Sequence, residues 1–143
     1  MPAHPEVLRR RALTSSLAGV MPAGPGLPSW IAAARSAALG LNATTRKAKG
    51  AGHHLYVVLL EDRRRACRWG LYVGQTSRDP DLRFDQHKMG YKASRFVHRF
   101  GVRLLPDLVE HLNPLRAWEA LELEAALAEE FRRAGAPWVE GGH

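Results

Sequence analysis

The clearest pattern along the chain is an unbroken apolar run at residues 55–60, which reads Leu-Tyr-Val-Val-Leu-Leu. A run with no polar position in it is typical of a strand buried on both faces, in the middle of a sheet. A charged loop at 61–68 separates it from a second strand-like segment at 70–74. Because the connection is short, we predict an antiparallel hairpin rather than a crossover.

Helix start and stop signals bracket the segments that follow. Asp79 as N-cap, Pro80 at the first helical position and Gly90 past the end predict a helix of about ten residues. A second, shorter helix is predicted around 93–100, where Gly101 ends it.

The carboxyl-terminal third of the chain predicts one strand and one long helix. The strand starts at Val102, and the helix runs from Pro114 to about Ala134, where Gly135 and Pro137 end it. The predicted order is therefore β-β-α-α-β-α.

Residues 1–53 differ in character from the rest of the chain. Five of the nine prolines fall within the first 28 residues, and this Pro/Gly/Ala-rich composition predicts a flexible or peripheral arm. Ser29 is the predicted N-cap of one short Ala-rich helix at 30–39, which Gly40 ends. We therefore divide the chain into a basic amino-terminal arm, 1–53, and a domain, 54–142.

Composition narrows the class of protein without naming an activity. The chain has 143 residues, enough for one compact domain, and its single cysteine excludes an intramolecular disulfide and fits a reducing, cytoplasmic compartment. No apolar stretch is long enough to span a bilayer, so we predict a soluble protein with no membrane partner. Residues 1–53 hold seven of the 21 Lys and Arg and one of the 14 acids. Most of the +7 net charge thus lies outside the domain, where it fits either phosphate attraction or a solubilising arm.

Glu124 is the acidic residue that the helical pattern singles out. At 100° per residue its angular neighbours on the long helix are apolar, whereas the other acids of that helix lie more than a right angle away. A carboxylate on a core-facing stripe requires a partner, because burying its charge alone is costly. A structural ion pair with an arginine and a metal or catalytic role both remain open.

Two further pairs carry candidate chemistry. Arg83 and His87 are four residues apart on one helix and share a face, so a fixed cation and a titratable imidazole can act on one group. Tyr56 and Tyr72 lie on the two strands of the predicted hairpin. For both pairs a structural explanation, a solvated face or core packing, is the alternative.

Taken together, these residues resemble the GIY-YIG nuclease family, which is named after two short strand motifs. The motifs here read His54-Leu55-Tyr56 and Tyr72-Val73-Gly74. Arg83, His87 and Glu124 match the family's later Arg, His and Glu in order and approximate spacing. The resemblance covers the predicted domain and implies an α+β fold with a three-stranded antiparallel sheet flanked by helices.

The resemblance implies a metal-dependent endonuclease that hydrolyses nucleic-acid phosphodiesters, with DNA the first expectation. Glu124 would hold one Mg²⁺ or Mn²⁺ ion beside the scissile phosphate, and Arg83 would clamp a phosphate oxygen. Tyr56 would orient or help deprotonate the attacking water, with His87 as proton acceptor. Tyr72 would hydrogen-bond the phosphate or the water.

Substrate contacts are expected from residues between and beside these positions. Gly74 would let the backbone approach the substrate, or would simply end a strand. Four basic residues would track the flanking phosphates: Lys88, Lys92, Arg95 and Arg99. Because the domain is small, a homodimer or an accessory specificity partner is also expected.

Two alternatives stay open. The first strand motif has His54 where the family has Gly, and no Asn follows the long helix, so a nucleic-acid-binding module that does not cut is one alternative. The other is an interaction protein whose basic tail binds RNA or an acidic partner.

Overall fold

The computed structural model describes residues 27–142 and shows a four-stranded sheet covered by helices on both faces. The first part of the predicted arm, residues 1–26, lies outside the described residues. In chain order the elements are α1 (Trp30–Leu39), β1 (His54–Glu61), β2 (Trp69–Thr76), α2 (Pro80–Met89), α3 (Arg95–Phe100), β3 (Gly101–Leu104), a 3₁₀ turn (Pro106–Leu108), α4 (Ala117–Arg133) and β4 (Val139–Gly141).

Strand β1 lies inside the sheet, as its apolar run predicts. The strand order is β3-β1-β2-β4, and β1 and β2 form the predicted antiparallel hairpin. Every position from 55 to 60 is buried. Because side chains alternate along a strand, β1 serves two cores. Its odd-numbered positions pack with α1 and α4, and its even-numbered positions pack with α2 and α3.

The prediction of a three-stranded antiparallel sheet is incomplete, because the sheet has a fourth strand. Strands β1, β2 and β3 are antiparallel to their neighbours, but β4 adds a fourth strand that runs parallel to β2, so the sheet is mixed. Two backbone bonds fix this edge, from Leu71 N to Trp138 O at 3.0 Å and from Gly142 N to Val73 O at 3.0 Å. A three-residue strand that follows a proline and contains a glycine carries almost no sequence signal, which is why the pattern missed it.

The predicted helix boundaries hold for α2 and shift for α4. Asp79 caps α2 by accepting from Asp81 N at 2.8 Å, and Gly90 ends it with a positive φ of 86°. Helix α4 starts at Ala117 rather than at the predicted Pro114 because Leu115 is extended and bridges to His53. Within residues 27–142, no helix combines the length and the apolar character that crossing a bilayer requires.

Helix α1 is part of the core. Ser29 precedes it as predicted, although the Ser29 side chain makes no capping bond. One face of α1, which includes Ile31 and Ala34, is buried in the same core as α4. Arg35 also pairs with Asp107 across the fold, at 2.6 Å. The packed unit therefore begins before the boundary predicted at residue 54.

Glu119 is buried as deeply as Glu124, which the helical pattern did not predict. Its side chain is 5% exposed, against 7% for Glu124. A loop, rather than the sheet, covers the Glu119 side chain. Thr44 and Thr45 lie over the first turn of α4, and each donates its backbone N–H and its hydroxyl to the Glu119 carboxylate, at 2.6–2.8 Å. Burial raises the pKa of Glu119, but these four bonds outweigh it and lower that pKa to about 2.

We predict that Glu119→Ala destabilises the fold by about 2–4 kcal/mol, because it leaves buried donors of Thr44 and Thr45 without an acceptor. Glu122→Ala is the matched control: Glu122 is exposed on the same helix, and its removal should change the free energy of unfolding by less than about 0.5 kcal/mol. Urea unfolding of the two variants at neutral pH measures the difference. Equal values would show that the four bonds contribute nothing net.

Candidate functional site

Two phenols and one imidazole meet on the sheet face that carries α2 and α3. Tyr56 pairs with Gly74 and Tyr72 pairs with Val58, so the two tyrosines are diagonal neighbours on one face of the hairpin. Their ring centroids are 6.2 Å apart. The His87 ring comes from α2 and lies 6.0 Å from Tyr56 and 5.9 Å from Tyr72, centroid to centroid. We call these three residues the tyrosine–histidine cluster.

Gly74 explains how the Tyr56 ring fits between the strands and α2. A Cβ placed on Gly74 would lie 2.5 Å from Cζ of Tyr56 and 2.6 Å from its hydroxyl oxygen. Only a residue without a side chain leaves room for the ring there. The space above Gly74, where a close substrate approach was expected, is therefore occupied by Tyr56 itself.

The hydrogen bonds of His87 fix its protonation and its direction. The backbone N–H of Ser94 donates to Nδ1 of His87 at 2.9 Å, so Nδ1 must carry a lone pair. The proton of the neutral ring is then on Nε2, which lies 2.9 Å from the Tyr56 hydroxyl and donates to it. Burial, and then the charge of Arg83, lower the pKa of His87 to about 4. His87 is thus a neutral donor to Tyr56 in this arrangement, which revises the expected role of proton acceptor.

Ser94 is a member of the site that the sequence reasoning did not select. Besides its N–H bond to His87, its hydroxyl accepts from Phe96 N at 3.2 Å as the N-cap of α3. The same hydroxyl acts on Tyr72, whose pKa it lowers. The sequence signal that could have found Ser94 is its N-cap position before the predicted second short helix. Its place in the site depends on the fold, which brings the start of α3 against the hairpin.

The donor of His87 sets the direction of the Tyr56 hydroxyl. Because the Tyr56 oxygen already accepts from His87, its own proton is free to point toward the neighbouring ring of Tyr72. Burial raises the pKa of Tyr72; the hydroxyls of Ser94 and Tyr56 lower it, but burial outweighs them. Tyr72 is half-buried, so its side chain is accessible from the surface of the site.

Glu124 and Arg83 lie close enough to act on both phenols. Burial raises the pKa of Tyr56 most, followed by Tyr72; the carboxylate of Glu124 also raises it, while the guanidinium of Arg83 lowers it. The same two charges act on Tyr72, in the same directions. Glu124 comes from α4 and the other four residues from β1, β2 and α2. The fold thus brings together five predicted site residues that are up to 68 positions apart in the chain.

The Arg83 side chain is partly committed to the turn between α2 and α3. Its NH1 donates to the Gln86 side chain and to Tyr91 O, both at 3.3 Å, and its NH2 donates to Lys92 O at 2.7 Å. A guanidinium has five N–H donors, so a second NH2 hydrogen and Nε–H remain for a further acceptor. Arg83 is half-buried and can both hold this turn and meet an anion.

The four predicted basic contacts divide into one structural residue and three exposed ones. Lys88 donates to Val97 O, His98 O and Gly101 O, at 3.5, 3.1 and 2.9 Å, and so caps the end of α3. Lys92, Arg95 and Arg99 are exposed, and each lies over the aromatic ring next to it in sequence. These three form a basic rim beside α3.

The donor set available to a metal is small. No group of three or more His, Cys, Asp or Glu side chains among residues 27–142 could hold an ion. Glu124 is the carboxylate of the site, and Mg²⁺ commonly binds through one or two carboxylates, with water and substrate phosphate completing its octahedron. One buried carboxylate beside two phenols therefore fits a hard cation that shares its ligands with a substrate.

Comparison with known proteins adds no independent assignment. Neither protein-family models, nor curated proteins, nor solved structures match this chain. The function of this chain is therefore inferred from the geometry of its site.

The buried neutral His87 should make stability depend on pH. Its pKa in the fold, about 4, lies below the ordinary 6.5, so the unfolded chain takes up this proton first as the pH falls. The contribution of His87 is therefore intact above about pH 6.5 and is lost progressively down to about pH 4, by up to about 3 kcal/mol.

Urea unfolding of the protein and of His87→Gln at closely spaced pH values tests this. We expect the free energy of unfolding to fall more steeply between pH 6.5 and 4.5 in the unsubstituted protein than in the variant. Glu119 loses its contribution only below about pH 4.5, so the two windows separate. Parallel curves for the two proteins across pH 6.5 to 4.5 would contradict a buried neutral His87.

Proposed function

We propose that this protein is a metal-dependent endonuclease of the GIY-YIG type that hydrolyses phosphodiester bonds in DNA. The proposal is supported by five side chains that the fold brings to one place. Tyr56, Tyr72 and His87 are in mutual ring contact. Arg83 and Glu124 act electrostatically on both phenols. These five residues form neither a pair of catalytic carboxylates nor a serine–histidine pair. A phenol pair flanked by a cation and a carboxylate suits a phosphate centre, where charge must be positioned and balanced.

Tyr72 is the residue that would meet the substrate first. It is half-buried rather than enclosed, so its O–H can donate to a phosphate oxygen. Arg83 would add its remaining N–H donors to the same group, and its charge would persist at any working pH. Together they would bind the phosphate and balance the charge that builds on it.

Tyr56 would hold the attacking water. Its oxygen accepts from His87 Nε2–H and has one further lone pair, which can accept a hydrogen from water. As water attacks phosphorus, Tyr56 can take its proton while passing its own to Tyr72, and Tyr72 releases its proton to the leaving oxygen as the bond between that oxygen and phosphorus breaks. The ring contact of the two phenols supports this relay, and neither phenol, both with raised pKa, has to rest as a phenolate.

Glu124 would hold the divalent cation that this chemistry calls for. A bound Mg²⁺ or Mn²⁺ polarises a phosphate oxygen and stabilises negative charge on it. Glu124 is on α4 and Arg83 is on α2, so the carboxylate and the guanidinium act on the phenols from different elements. The exposed rim of Lys92, Arg95 and Arg99 would attract the flanking backbone.

A binding module without cleavage is the second candidate. The specific observation in its favour is that Arg83 already spends three donors on the α2–α3 turn, and His87 has both nitrogens engaged. A site in which such groups stabilise the fold can bind a phosphate without hydrolysing a phosphodiester bond.

Incubation of the full chain with supercoiled and single-stranded DNA, in Mg²⁺ and in Mn²⁺, tests the proposal. We expect cleavage by the unsubstituted protein and a loss of about 100-fold or more in rate for Glu124→Ala and for Tyr72→Phe. Ser94→Ala, which keeps the backbone bond to His87 but removes the hydroxyl from Tyr72, should lose activity with intact folding.

Glu122→Ala is the matched control, since it removes an exposed acid two positions away on the same helix and should cleave within about twofold of the unsubstituted rate. Gel-shift binding is measured on every variant. Cleavage that survives Glu124→Ala at full rate rejects the assigned role of that carboxylate. Binding without cleavage in either metal favours the module.

A further inference from the structure

A cavity of about 400 Å³ opens next to the tyrosine–histidine cluster, on the other side of β1 from β2. It is bounded by residues 54–57 of β1, by the segment 77–81 that leads into α2, and by the chain between β3 and α4. Tyr56 belongs to both its wall and the cluster. Whatever occupies this cavity is therefore adjacent to the proposed reaction centre.

The exposed edge of β1 in this cavity is already satisfied. Strand β3 pairs only with residues 58–60 of β1. Nearer the amino end, Asn113 takes the place of a strand: Leu55 N donates to its Oδ1 and its Nδ2 donates to Leu55 O, both at 2.8 Å. Leu105 N donates to Val57 O at 2.8 Å. Because these backbone groups are paired, β1 has no free edge here to which a peptide strand could be added. A ligand in the cavity must therefore be recognised by the residues of its walls.

The walls combine flat apolar surfaces with hydrogen-bond acceptors. Three proline rings line the cavity: Pro80, Pro106 and Pro114. Asp79 and Glu110 are exposed at its surface, and Asp79 uses only Oδ1 to cap α2. These two exposed carboxylates and the one guanidinium of Arg78 share the lining. This balance repels phosphate, and a planar ring bearing N–H donors is the complementary ligand.

We propose that this cavity is a subsite for an unpaired nucleobase that carries an exocyclic amino group, next to the scissile phosphate. The inference rests on the proposed function, because a nucleic acid on the cluster places a neighbouring base beside Tyr56. The proline rings receive the face of the base, and the carboxylates accept from its amino edge, as acidic side chains accept from cytosine N4. The cavity volume admits one base with part of its sugar.

The test is a titration of the full chain, followed by NMR of the methyl groups of Leu104 and Val109, which line the cavity. The probes are cytidine, thymidine and deoxyribose 5-phosphate. We expect cytidine to shift these methyls with an affinity about tenfold above that of thymidine, whose base lacks an amino group, and the sugar phosphate to leave them unmoved. Glu110→Gln should reduce the preference to about threefold or less.

Two tryptophan variants locate the site. Ser77→Trp places a ring at the exposed mouth of the cavity and should abolish the cytidine shifts, whereas Ser36→Trp, on the exposed side of α1, should leave them intact. Equal affinities for cytidine and thymidine, methyl shifts by the sugar phosphate, or no shift by any probe would each overturn the subsite.

The outcome is separate from that of the DNA cleavage assay. Cleavage with no cytidine shift rejects the subsite and keeps the nuclease. Cytidine binding in the cavity with no cleavage keeps the subsite and rejects the nuclease.

Discussion

The hydrogen bond of 2.9 Å between Nε2 of His87 and the hydroxyl of Tyr56 joins α2 to the sheet in the buried part of the site. Its direction follows from one backbone contact, since the N–H of Ser94 occupies the other nitrogen of the ring. The direction of the Tyr56 hydroxyl depends on it. Because its oxygen already accepts from His87, Tyr56 can turn its own proton toward Tyr72, whose ring centroid lies 6.2 Å away.

The two-sided burial of β1 makes this arrangement rigid. One set of alternating side chains packs against α1 and α4, so the strand is held by an apolar core that takes no part in the chemistry. The other set includes Tyr56, whose ring lies over Gly74 where no other residue would leave room. Helix α4 belongs to the first core, yet its Glu124 acts on phenols of the second face. The sheet thus separates structural packing from the polar site, and α4 links them.

Much of this could be read from the sequence, for identifiable reasons. The apolar run of β1, the capped α2 and the core-facing position of Glu124 are local or periodic signals, and the structure has each of them. What the sequence did not reveal depends on contacts between distant segments. Glu119 is buried by Thr44 and Thr45, which are 75 and 74 residues earlier in the chain. Strand β4 forms only because β2 offers an edge, and Ser94 enters the site only because α3 folds back on α2.

The roles of side chains were harder to predict than their positions. Lys88 has the sequence context of a phosphate contact but donates to three carbonyls at the end of α3. Gly74 matches the second strand motif, but its lack of a side chain makes room for the Tyr56 ring. His87 suggests a base by residue type, and its environment makes it a donor. In each case the hydrogen-bond partners, which no spacing rule supplies, decide the chemistry.

The central claim is that Glu124 and the tyrosine–histidine cluster form one metal-dependent site. Paramagnetic broadening of NMR signals by substoichiometric Mn²⁺ measures it directly, in the presence of a short single-stranded oligonucleotide. The account predicts that broadening centres on Tyr72 and His87, and that Glu124→Gln removes it. Broadening centred on other acids, or unchanged in Glu124→Gln, would contradict the claim.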